Sequence, residues 1–213
     1  MHPHRLLTVT GLLLGLATLA LQFSLSIPVS MANGASFGRA VALFFSFLTI
    51  LTHSILVLVY LSALTPWRTL HIFRLGIARA LLAGVVLLVG LYYHFVLAPT
   101  KNWQGAWLLA DTFLHYILPV LYLLWWALTQ PHGELRFTDL PRMLLPPLAY
   151  VPYALIMGWL TRSYPYPIID LGRLPAAVVA VNVVQVVAGL AVLMLLVIAA
   201  DRALVRLRKP GPA

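Results

Sequence analysis

Six apolar runs dominate the chain, each near the length of about 20 residues that a helix needs to cross a hydrocarbon layer. They cover roughly 5–27, 39–64, 77–98, 106–128, 141–160 and 174–200. Away from water every backbone N–H and C=O must find a partner within its own segment, which favours helices. The expected fold is therefore all-α: one polytopic membrane domain over 1–213, a bundle of six transmembrane helices. Only 9% of the 213 residues are charged and 62% are hydrophobic, whereas a soluble domain carries about a quarter of its residues charged. Glycine, proline and charge punctuate the gaps. Pro119, Pro146, Pro147 and Pro152 fall inside apolar runs, where they predict kinks. No internal repeat is evident, and no linker is long enough to set off a second domain.

Arg5, the apolar run after it and Ser30-Met31-Ala32 have the outline of a signal peptide with its cleavage site. The run from Leu6 to Val29 exceeds the usual apolar core of about 7–15 residues, so it is read as a retained helix.

Charge sets an expected orientation. Arg5, Arg68, Arg74, Arg79, Arg136, Arg142, Arg202, Arg206, Arg208 and Lys209 fall on one side of the six runs, and Arg39, Lys101, Arg162 and Arg173 on the other. The positive-inside rule then puts both termini in the cytoplasm. The net charge of +9 is read as topology plus contact with anionic lipid headgroups, with no nucleic acid as partner. Trp103, Trp107, Trp159, Tyr164 and Tyr166 sit near the opposite ends of the runs, as an interfacial aromatic belt would. The chain has no cysteine, which excludes disulfides, thiolate catalysis and thiolate-bound metal. Nothing in the sequence sets an oligomeric state.

The polar residues inside the runs share a depth. At about 1.5 Å of rise per residue, Thr49 lies roughly 15 Å from the outer helix end, Asp111 about 7 Å and His115 about 14 Å. Asn182 and Gln185 lie about 12 and 16 Å in, and His94 about 6 Å. Such residues usually face a bundle interior or a wet cavity, so a polar cavity is expected in the outer half. Asp111 and His115 are four apart and share a helix face, as do Thr49 and His53, with Thr52 beside them; Asn182 and Gln185 are three apart.

An Asp–His pair can act as orienter and base of a hydrolytic site. A threonine hydroxyl is a weak nucleophile that needs such a base. Asn182 or Gln185 are candidate donors to an oxyanion, and His53, Thr52 and His94 further cavity residues. A metal-dependent hydrolase built on His53, His94, His115 and Asp111 is an alternative, but no HExxH-type motif is present. A non-catalytic lipid-binding or small-molecule transport protein is the other. No metal or cofactor is expected.

Phe45-Ser46-Phe47-Leu48-Thr49-Ile50-Leu51-Thr52, His115-Tyr116-Ile117-Leu118-Pro119 and Tyr164-Pro165-Tyr166-Pro167, taken in order and spacing, resemble the bacterial relatives of the androgen-induced gene and androgen-dependent TFPI-regulating proteins. The resemblance spans most of the chain, to about Asp201. Eukaryotic members of that family are intramembrane threonine hydrolases of fatty-acid esters of hydroxy fatty acids. The resemblance implies a six-helix protein of the bacterial inner membrane. It implies Thr49 as nucleophile and His115 as the histidine, with membrane lipids and a fatty-acid ester as partners. The expected function is hydrolysis of a lipid ester, with Asp111 orienting His115.

Overall fold

The computed structural model describes residues 3–208; Lys209 lies outside them. No strand occurs among the described residues. The long helices are α1 (Pro3–Ala32), α7 (Leu140–Thr161) and α8 (Ala176–Arg208). Between them run α2 (Phe37–Ser46), α3 (Leu48–Leu64), α4 (Gly76–Tyr92), α5 (Gly105–Thr112) and α6 (Leu118–Thr129). A π turn, Tyr93–Leu97, continues α4, and a second, Phe113–Ile117, joins α5 to α6. Five helical stretches are long and apolar enough to cross a membrane, and six if α2 and α3 count as one bent span.

The second apolar run departs from expectation. Residues 39–64 do not form one helix: α2 and α3 meet at a bend of 81°. Phe47 is extended, at φ −78° and ψ 128°, and neither glycine nor proline stands there. Such a break frees backbone groups that need partners in an apolar interior. Three tyrosines from distant sequence supply them. Tyr150 Oη donates to Ser46 O at 2.8 Å, Tyr153 Oη donates to Phe45 O at 3.0 Å, and Tyr166 Oη accepts from the Leu48 N–H at 3.1 Å. The bend is thus a tertiary feature, stabilised by α7 and the segment after it.

At the other end of α3, the Arg74 guanidinium donates to the carbonyls of Ser62, Thr65 and Trp67. The Ser62 carbonyl belongs to the last turn of α3, where a cation suits the helix C-terminus. Helix α4 is the hub, with Ala80, Ala83 and Val86 fully buried against Tyr60, Tyr122, Trp125 and Met194 of three neighbours. Close approach depends on small residues. A Cβ on Gly11 would fall 2.4 Å from the Tyr60 ring, so glycine lets α1 lie against α3.

The polar ends of the bundle are stitched by specific contacts. Asp201 of α8, 3% exposed, accepts from the backbone N–H groups of Gly133 and Leu135 and pairs with His132 at 2.8 Å. Arg79 donates to Phe73 O and to Gln130 Oε1. These contacts put the 65–75 and 130–139 segments and the end of α8 at one end of the bundle. At the opposite end Arg39 donates to Thr161 O.

Candidate functional site: an apolar cavity with a Thr, a His and four tyrosines

A cavity of about 100 Å³ lies between α3, α4, α7 and α8, in the half of the bundle closed by the 162–175 segment. Ligand pockets are mostly apolar with a few placed polar groups. Here the apolar wall includes Leu88, Pro147, Val187 and Leu190; the polar groups are Thr49, His115, Tyr92, Tyr93, Tyr150 and Tyr166. The wall is apolar, where the sequence reading expects a polar cavity.

Thr49 sits in the first turn of α3, just past the bend, and is 8% exposed. The bend is what brings this turn to the cavity wall. The Tyr166 hydroxyl faces both the Leu48 N–H and the Thr49 side chain. Its ring packs edge-on against Phe47 at 5.8 Å and Tyr92 at 6.2 Å. Burial of that hydroxyl holds the Tyr166 phenol above its ordinary range.

His115 lies on the second π turn, a feature that recurs at functional sites. Its Nδ1 is 3.0 Å from Asp111 O and 3.3 Å from Asp111 Oδ1. Both acceptors face the same nitrogen, so the proton belongs on Nδ1 and Nε2 keeps its lone pair. Tyr93 stacks on the imidazole at 3.8 Å and an interplanar angle of 10°, while its hydroxyl donates to Asp111 Oδ2. The ring is therefore held by a carboxylate on one edge and a phenol on its face. Gly90 permits this approach, since a Cβ there would lie 3.2 Å from His115 O. Thr49 and His115 line the same cavity, and no hydrogen bond joins them among the described residues.

The other sequence candidates fall elsewhere. His53 and Thr52 are buried about one turn along α3 from Thr49 and do not line the cavity. His53 Nδ1 donates to Thr49 O at 2.7 Å, and its Nε2 has no partner among the described residues. On α8 the cavity face is Val183, Val186, Val187 and Leu190, a spacing of three and four. Asn182 and Gln185 lie off that face. Asn182 donates to Ile168 O at 2.8 Å and anchors the outer segment, whereas Gln185 is exposed. Neither is an oxyanion donor in this cavity. His94 is exposed on the first π turn, with Nδ1 3.2 Å from Tyr116 Oη. Among the described residues no three of His, Cys, Asp and Glu converge as metal ligands.

Tyr92, Tyr93 and Tyr150 were not legible as site residues, and Tyr166 reads from sequence as an interfacial anchor. The available signal was that a tyrosine inside an apolar helix needs a partner for its hydroxyl. Tyr93 turns inward because the π turn shifts the helical register by one residue.

Comparison of the chain with protein-family models, curated proteins and solved structures gives no match.

Proposed function

We propose that this chain is an integral membrane protein that hydrolyses a long-chain fatty-acyl ester within the bilayer. What supports insertion is the outer surface. Leu13, Val120, Leu145, Ile156, Val184 and Leu196 each leave more than half of their surface uncovered, a pattern that suits lipid contact and not water. Both termini and the 65–75 and 130–139 segments are assigned to the cytoplasm by the excess of arginine there.

The observation that carries the catalytic reading is that Thr49 and His115, the latter paired with Asp111, line one apolar cavity. The resemblance of the three motifs to the threonine hydrolase family points the same way. In the proposed reaction, Thr49 Oγ1 attacks the ester carbonyl carbon and His115 Nε2 takes its proton. The carbonyl π pair moves to oxygen. When the C=O re-forms, the C–O bond to the alcohol breaks and His115 returns the proton to the leaving oxygen. A water repeats the sequence on the acyl-threonine, releasing the acid and free Thr49. Asp111 stabilises the imidazolium formed in each half. A hydrogen bond from Thr49 to His115 forms on substrate binding, as catalytic contacts often tighten only then.

The test is turnover of acetyl, octanoyl and palmitoyl p-nitrophenyl esters by protein in lipid nanodiscs. Rates should rise with chain length, because the wall that receives the chain is apolar, and Thr49→Ala should abolish them. A folded protein that turns over none of them, yet binds a fluorescent fatty acid in this cavity, would be a lipid-binding protein instead.

A further inference from the structure

We propose that the Tyr92 hydroxyl is the donor that holds the ester carbonyl oxygen in this cavity, and the oxyanion that oxygen becomes. The proposal rests on the hydrolase reading for its catalytic half; the carbonyl contact stands separately.

Acyl transfer needs a hydrogen-bond donor aimed at the developing oxyanion, and the two amide side chains expected from sequence lie off the cavity wall. Two other hydroxyls of the wall have committed their protons to acceptors, and a third is engaged at the start of α3. Tyr93 donates to Asp111, and Tyr150 donates to Ser46 O at 2.8 Å. Tyr166 caps α3 through the Leu48 N–H and meets the Thr49 side chain. Tyr92 differs. Its ring is part of the wall, its Oη is sealed from solvent, and that oxygen has no hydrogen-bond partner among the described residues.

A buried polar group without a partner is rare and calls for an explanation in ligand, strain or chemistry. Place favours the first. The Tyr92 and Tyr166 rings meet edge to face at 6.2 Å. Tyr166 in turn lies on Thr49. The uncommitted donor thus shares a cavity wall with the residue proposed to attack the carbonyl, and Tyr166 touches both. Tyr92 keeps its proton throughout: the hydrogen bond strengthens as the carbonyl π pair moves to oxygen, and weakens as the C=O re-forms.

Tyr92→Phe removes only the hydroxyl. With palmitoyl p-nitrophenyl ester, kcat should fall about 10²–10³-fold, the usual effect of losing one oxyanion donor, with KM little changed. Because the hydroxyl has no partner in the fold, the melting temperature should stay equal or rise. A variant that melts lower or fails to fold gives the hydroxyl a structural role and overturns the proposal, as does an unchanged kcat.

The infrared carbonyl band of a ¹³C-labelled palmitoyl ester bound to Thr49→Ala separates the two readings. That band should lie at lower frequency than in detergent alone, and should return on adding Tyr92→Phe. This shift in a protein without esterase activity supports the carbonyl contact while the hydrolase reading fails. A band that Tyr92→Phe leaves in place overturns the contact even if wild type is an active esterase.

Discussion

Replacing Tyr166 by Phe isolates what holds the bend between α2 and α3. The ring remains, with its edge contacts to Phe47 at 5.8 Å and Tyr92 at 6.2 Å. What goes is the acceptor for the Leu48 N–H, 3.1 Å away at a helix start that Phe47 cannot cap with its own side chain. An orphaned buried donor costs about 1–3 kcal/mol, and loss of a helix N-cap typically about 1 kcal/mol, so about 2 kcal/mol is expected here. For a chain of this size, about 2–4 °C per kcal/mol gives a fall of about 4–8 °C in melting temperature. Tyr153→Phe is the control. Its hydroxyl also serves the bend, donating to Phe45 O at 3.0 Å, but at an exposed position. There the loss should be nearer the typical net value of about 0.5–1.5 kcal/mol. Both variants are measured by circular dichroism in one detergent, with hydrogen exchange followed at Leu48. A Tyr166→Phe protein melting within about 1 °C of wild type, or one less affected than Tyr153→Phe, would refute the account of the bend.

Other expectations follow from the same contacts. Asp111→Asn leaves Asp111 O to hold the proton on His115 Nδ1 but removes the negative charge that stabilises the imidazolium; kcat for ester hydrolysis should fall about 10²–10⁴-fold at nearly constant KM. Asp201→Ala strips His132 and two backbone N–H groups of a buried acceptor, and should destabilise by about 3–5 kcal/mol, read as a loss of folded yield and melting temperature. Burial raises the Tyr166 phenol, so its unfolded counterpart ionises first, near pH about 10. Its contribution to stability is full below that pH and is lost as pH rises from there through the raised folded pKa; Tyr166→Phe should melt with a shallower alkaline slope than wild type.

How much of this was legible in the sequence follows from range. Helix count and limits came from runs of apolar residues, which are local. Gly76–Thr100, Gly105–Thr129 and Leu140–Thr161 lie within a few residues of 77–98, 106–128 and 141–160. The Asp111–His115 pair was legible for the same reason, because a spacing of four fixes a shared face. The bend at Phe47 was not, since its causes are tyrosines more than 100 residues away. The donor assignment to Asn182 and Gln185 failed because residue type gives depth but not azimuth. The cavity face of α8 is set by valines one position on. The π turns that bring Tyr93 onto His115 carry no glycine or proline at all.

Whether Thr49 is a nucleophile activated by His115 is read most directly with a fluorophosphonate probe, applied to wild type, Thr49→Ala and His115→Ala in matched detergent. A covalent adduct is expected on Thr49 in wild type, found by mass spectrometry and absent from both folded variants. A folded wild type that takes no label, or a Thr49→Ala protein that labels as wild type does, would contradict that role for Thr49.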